Sequence, residues 1–130
     1  MPGIPCVYYG SEWGAEGNKN DGDPSLRLSY DTPIENELFD WISKLAAAHK
    51  SSKALLYGDY GHPVLTNRQC IFRRCCDGET VLVAINADEQ SYYAGCDIHA
   101  AAEDLLTGRE LSIDGGLELP PYSAMYLRLK

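Results

Sequence analysis

The chain has 130 residues, with 19 acidic against 11 basic side chains and a net charge of −8. That balance excludes partners held by their phosphate backbone, which need clustered Lys and Arg; the basic pair Arg73-Arg74 reads instead as part of a strand face. A hydrophobic content of 45% with nine tyrosines supports a packed core, whereas no stretch approaches the roughly 20 apolar residues of a membrane helix.

Gly3 to Gly10 reads as one buried strand, with residues 4–9 as its body. Pro5 removes a backbone donor and belongs at the strand's start. Cys6, Val7, Tyr8 and Tyr9 are apolar without alternation, which suits a parallel strand covered on both faces. Such a strand needs a neighbour on each side, and only Met1 and Pro2 precede Gly3 here. The expectation is the tail of a larger protein. Left alone, the segment is expected to join a sheet edge, in its own sandwich or in a second copy as a strand-mediated homodimer. The first residues also lack the charged region and apolar run of a signal peptide.

Residues 10–32 read as a long loop containing Gly10, Gly14, Gly17 and Gly22. Long connections of this kind are usually functional, and this one holds Glu12, Trp13, Glu16, Asp21, Asp23 and Arg27. Asp21-Gly22-Asp23 has the flavour of a calcium loop, but the full oxygen-ligand set is lacking and no metal is assigned. Thr32-Pro33-Ile34-Glu35 has the form of a capping box and predicts a helix from there to about His49–Ser52. Ile34, Leu38, Trp41, Ile42, Leu45 and His49 form its apolar stripe, with Trp41 expected in the core.

From Lys53 onward short apolar runs alternate with turn residues. The runs are Ala54–Tyr57, Val64–Thr66, Gln69–Arg74, Thr80–Asn86, Ser91–Ala94, Ala102–Leu106, Glu110–Ile113, Leu117–Leu119 and Tyr122–Leu129. This rhythm predicts an antiparallel, Greek-key-like β-sandwich. Pro120-Pro121 favours a sheet edge or a kink before the last strand. Tyr92 and Tyr93 place one ring on each face of a strand, the inward one core and the outward one open to solvent. His62 and His99 read as turn residues without partners.

Five cysteines (Cys6, Cys70, Cys75, Cys76 and Cys96) make an odd count without regular spacing. That is a poor disulfide framework and a poor zinc site. They read as structural thiols and tilt the chain toward a reducing, cytoplasmic compartment.

Gly3-Ile4-Pro5-Cys6-Val7-Tyr8-Tyr9-Gly10 resembles the G-x-P-x-x-Y-Y-G signature of the alpha-amylase family, glycoside hydrolase family thirteen. There the signature is the eighth strand of a (β/α)8 barrel. Ser11-Glu12-Trp13-Gly14 resembles the turn that follows it, and Leu38–Lys53 the eighth helix. Leu55–Tyr60 is similar to the lead-in to the C-terminal domain, and Leu119–Ala124 to that domain's closing strand. The resemblance implies a mainly β fold: a β-loop-α remnant of a barrel over 1–52 and an antiparallel sandwich over 53–130.

Active sites of such barrels lie at the C-terminal ends of the strands. Asp23-Pro24-Ser25-Leu26-Arg27 resembles the family's D-P-x-x-R motif, which implies that Asp23 and Arg27 contact a sugar. A carboxylate accepts from sugar hydroxyls and a guanidinium donates to them. The alternative is an ion pair that pins the loop. Trp13 stands where Ile or Leu is commoner, and is read as a sugar platform or as loop packing.

Family members hydrolyse with retention, through a carboxylate nucleophile and an acid about 5 Å apart. None of the motifs that carry those residues is present here, so no catalytic residue is assigned and the chain alone is expected to be inactive. No cofactor is assigned. The expected function is that of the C-terminal region of a retaining hydrolase of maltodextrin or starch type. An α-glucan oligosaccharide would be the partner through the parent enzyme, with neither nucleic acid nor membrane. The sandwich would be mainly structural, or alternatively a non-catalytic carbohydrate-binding module.

Overall fold

The computed structural model describes residues 3–130. Two 3-10 turns, Ser11–Trp13 and Lys19–Asp21, precede three helices: α1 (Asp23–Leu26), α2 (Glu37–Lys50) and α3 (Lys53–Tyr57). The strands are β1 (Asp59–Leu65), β2 (Gln69–Cys76), β3 (Glu79–Asn86), β4 (Tyr92–Asp104), β5 (Glu110–Leu119) and β6 (Ser123–Leu129). The chain divides into two compact units, Gly3–Ala46 and Ala47–Lys130.

In the Gly3–Ala46 unit the expected strand over 4–9 is not formed. Residues 4–8 carry no regular structure and belong to no sheet of this chain. Ile4 is 95% exposed, and Val7 and Tyr8 are also open to solvent. Strand pairing is made between strands, and none of the described residues of this unit forms another strand to pair with. Residues 1 and 2, which belong to the same expectation, lie outside the described residues.

The helix also starts later than Thr32 suggests. Asn36 Oδ1 accepts from Phe39 N at 3.0 Å, and Asp40 N donates to Asn36 O at 3.1 Å. Asn36 thus provides the same service as a Thr cap, one turn further on, and leaves Pro33–Glu35 outside. Helix α2 closes with His49 and Lys50 in its last turn, where cations offset its negative end. Trp41, expected in the core, is 52% exposed, with Lys44 Nζ 5.1 Å from the ring centroid. Ile34 and Leu38 are exposed too. The stripe is amphipathic as read, but most of its width is uncovered.

The Ala47–Lys130 unit is mainly antiparallel β. Its sheet has the order β1-β2-β3-β6-β4-β5, with every neighbouring pair antiparallel. It curls so that β1 meets β4, in keeping with a β-sandwich C-terminal domain. Alternation sorts the side chains. Ile71, Leu82, Ala84, Ile113, Leu119 and Leu127 fill one cluster inside the curl. Phe72, Val81 and Val83 point the other way and pack with Ala54 and Leu55 of α3.

Ala54–Tyr57 is therefore helix, not strand. Ser52 Oγ accepts from Leu55 N at 3.1 Å and caps it, and the apolar face closes the outer side of β2 and β3. The runs 91–94 and 102–106 join into the long β4, and 110–113 and 117–119 into β5. Their pairing shifts register between Gly95 and His99, a bulge that absorbs the break. Strand β6 is not an edge, since it lies between β3 and β4. Its ladder starts at Ser123, so Pro120 and Pro121 stay in the turn and cost it no bond. His62 and His99 lie in β1 and β4 rather than in turns, and His99 Nδ1 sits 2.7 Å from Asp114 Oδ1 of β5.

Two polar nodes fix this unit. Buried Asn86 aims its Nδ2 at the carbonyls of Gln90, Leu119 and Pro120 (2.8, 3.2 and 2.9 Å), while its Oδ1 accepts from Gln69 Nε2 and Asp88 N. Glu79 takes the Ala54 N–H on Oε2 and Arg128 Nε on Oε1, each at 2.9 Å, and Arg128 Nη2 reaches Ser51 O at 3.3 Å. Burial pushes the Glu79 carboxyl up, but the hydrogen bonds from Ala54, Ser52 and Arg128 outweigh it and hold the group below its ordinary range.

Candidate functional site

The chemistry-bearing loop of the Gly3–Ala46 unit is laced by its own backbone. Gly10 adopts φ +85°, a conformation that glycine enters without the Cβ penalty. From there Ala15 N donates to Gly10 O at 2.8 Å, closing the turn around Ser11–Trp13. Ser25 Oγ donates to the carbonyls of Asn18 (2.6 Å) and Gly22 (2.8 Å). A Cβ at Gly17 would collide with Ser25 O, so the two arms of the loop meet only because residue 17 has none.

These contacts set α1 in place, with Pro24 in its first turn. Its four-residue spacing brings together two of the three expected site residues. Arg27 Nη2 lies 3.8 Å from Asp23 Oδ2, with the side chains 77% and 80% exposed. A pair so open contributes little to stability and leaves most of its hydrogen-bonding capacity turned to solvent.

Trp13 is placed differently. Its ring packs edge-on against Tyr30, with centroids 4.5 Å apart and planes at 69°, and Asn36 Nδ2 holds its carbonyl at 3.1 Å. It is half-buried, and no contact joins it to Asp23 or Arg27 among those described. Trp13 Nε1 and Glu12 Oε2 are enclosed by protein without a hydrogen-bond partner among the described residues. Unsatisfied groups of this kind cost about 1–3 kcal/mol each.

Sequence reasoning passed over Tyr30. It links Trp13 to a small cavity of about 150 Å³ lined by Tyr8, Tyr9, Glu16, Ser25, Leu28 and Tyr30, among others. The signal was an aromatic at the far end of a glycine-rich loop, opposite the Tyr8-Tyr9 pair. Among the described residues no cluster of three or more His, Cys, Asp or Glu is gathered as a metal would require. The five cysteines are free thiols, and among the described residues no helix is long and apolar enough to cross a membrane.

No family model matches the chain. A cyclomaltodextrinase of Thermoanaerobacter pseudethanolicus is 29% identical over 130 residues, which cover 97% of this chain and 22% of that protein. A cyclomaltodextrin glucanotransferase of Thermoanaerobacterium thermosulfurigenes is 30% identical over 115 residues, covering 88% of this chain and 16% of the relative. The crystal structure of an Anoxybacillus alpha-amylase superposes with a TM-score of 0.85 at 27% identity, over 98% of this chain and 29% of that one. The chain thus spans about a fifth of the length of the curated relatives it matches. By sequence and by fold the chain matches the C-terminal portion of cyclomaltodextrinases, cyclomaltodextrin glucanotransferases and alpha-amylases, its homologues in the alpha-amylase family, glycoside hydrolase family thirteen.

Proposed function

We propose that the chain serves as the C-terminal region of a retaining glycoside hydrolase acting on α-glucans of maltodextrin or starch type. Residues 1–52 would supply the last strand, loop and helix of the barrel, and 53–130 a sandwich whose main role is structural. The observation that carries the reading is the outward-facing Asp23–Arg27 pair on α1, in a chain matched almost throughout by α-glucan-acting relatives. The pair offers an acceptor and a forked donor a few ångströms apart, which suits the alternating donors and acceptors of a sugar ring.

In this reading Asp23 and Arg27 orient a glucose unit, and Trp13 fixes the loop from which they project. The nucleophile and the acid come from other strands of the barrel. The structural role draws support from the two apolar clusters of the sheet unit and from the Glu79–Arg128–Ser51 node, which anchors the chain just past α2.

The test has two steps. The DNA upstream of the Met1 codon is read for an in-frame barrel bearing two carboxylates on its strands; an in-frame stop there would overturn the proposal. In the enzyme so defined, Arg27→Ala is expected to lower kcat/KM on maltoheptaose by about ten- to a hundredfold, the value of a hydrogen bond to a charged group. Unchanged kinetics would remove the sugar contact from this pair.

A further inference from the structure

Three turns at one end of the sheet, residues 66–68, 87–90 and 120–122, are tied to one another. Ala87 N donates to Arg68 O at 2.8 Å, and Tyr122 N donates to Asp88 O at 3.0 Å. Asp88 Oδ1 accepts from Arg68 Nη1 at 3.2 Å. Asp88 is thus a hub, its carbonyl holding Tyr122 and its carboxylate holding Arg68. Buried Asn86 locks the same turns from within, through Asp88 N and Pro120 O.

On this scaffold Tyr122 sits at φ +46°, in the left-handed region that glycine or asparagine normally fills in a turn. A bulky side chain is strained there. Burial does not offset that strain, because Tyr122 is 74% exposed. Arg68 is open as well, with its side chain 62% exposed. Its bond to Asp88 occupies one of five N–H donors.

We infer that this end of the sheet is a glucan-contacting surface distinct from the Asp23–Arg27 loop. Tyr122 covers the apolar face of one glucose unit, and the remaining N–H groups of Arg68 donate to hydroxyls of that unit or the adjoining one. The choice of an α-glucan as occupant rests on the function proposed above. The choice of a sugar rests on the turns themselves, where a ring held out at the cost of backbone strain stands on the same residue as a fork of donors.

The experiment maps amide shifts of the 130-residue chain during titration with maltoheptaose, and with cellohexaose as the β-linked control. Saturable shifts at Arg68, Asp88 and Tyr122 with maltoheptaose alone are expected. Tyr122→Gly relieves the backbone, so it should raise the urea midpoint while weakening binding about tenfold. Tyr122→Phe should keep the binding. Arg68→Met keeps an apolar stem but removes the donors, and should weaken it.

A lower urea midpoint in Tyr122→Gly would make the ring a support of its own turn and overturn the site. Shifts confined to residues 10–31 would overturn it while leaving the proposed function standing. Equal shifts with cellohexaose, or none at the three turns at millimolar sugar, would end it as well. So would concentration-dependent shifts of the same residues without sugar, which would mark a contact between two copies. The kinetics of Arg27→Ala test the proposed function separately.

Discussion

The two units of this chain differ in how far they satisfy themselves. In Ala47–Lys130 the strands pair along their lengths, and both faces of β2 and β3 are covered, by the curl on one side and by α3 on the other. In Gly3–Ala46 the large apolar side chains Ile4, Val7, Tyr8, Ile34, Leu38 and Trp41 stay in contact with water. Local order there comes from glycines and side-chain-to-backbone hydrogen bonds. Tertiary burial decides whether a sequence pattern becomes the structure it favours, and only one unit has enough of it.

The largest effect expected from that contrast is in denaturant unfolding. Leu127 is fully buried among strands from both halves of the sheet. Leu127→Ala should lower stability by about 3 kcal/mol, the usual loss for a buried leucine without relaxation. Trp41→Ala removes a larger side chain but one that is half-exposed, so it should cost less than about 1 kcal/mol. Equal midpoint shifts in urea would break the comparison.

Next comes Asn86. Its carboxamide serves five backbone and side-chain groups around the β3–β4 and β5–β6 turns. Asn86→Ala strands several of them in the interior and should cost about 2–3 kcal/mol. A loss below 1 kcal/mol would show that water takes its place.

Glu79 sharpens the comparison through pH. Its folded carboxyl titrates below its ordinary value of 4.5. A depressed acid adds stability above its unfolded value, and that contribution disappears as pH falls through the folded one. Glu79→Gln should therefore cost about 1–2 kcal/mol near neutrality, and the gap to the natural chain should shrink below about pH 4.5. Melting temperatures of both proteins across that window check it. A gap that stays constant would mean that the contacts act through shape rather than charge.

What the sequence disclosed follows the same division. Period-two runs from Gln69 to Leu129 located β2, β3 and β6 to within one or two residues, because burial enforces alternation there. It missed the continuity of β4 and β5, since a bulge near Gly95–His99 and the Gly115-Gly116 pair look like turns when no partner strand is in view. The run Ala54–Tyr57 was ambiguous by length alone, and only the Ser52 cap marks it as helix. In the other unit the Gly3–Gly10 signature pointed to the family of the chain's homologues although its strand is unformed, and the Thr32 box lost to Asn36. The closeness of Asp23 and Arg27 was legible from their four-residue spacing, but the packing of Trp13 on Tyr30 was not, because it joins residues 17 apart across an irregular loop.

The smallest expected effect bears most on function. If the Asp23–Arg27 pair exists to pin the loop, breaking it should unfasten α1. If it exists to meet a sugar, breaking it should leave the chain alone. The pair is 3.8 Å apart and open to solvent, and exposed pairs at this spacing contribute about 0.5 kcal/mol or less. Ser25 and Gly17 already hold the loop without it. Asp23→Ala and Arg27→Ala should therefore each leave urea stability within about 0.5 kcal/mol and leave the amide shifts of Asn18, Gly22 and Ser25 nearly unmoved. Gly17→Ala, which forces a Cβ into Ser25 O, should move all three. A drop of more than about 1 kcal/mol in either charge variant, beyond what an exposed pair supplies, would assign the pair to the loop's own architecture and leave the proposed glucan contact without its principal residues.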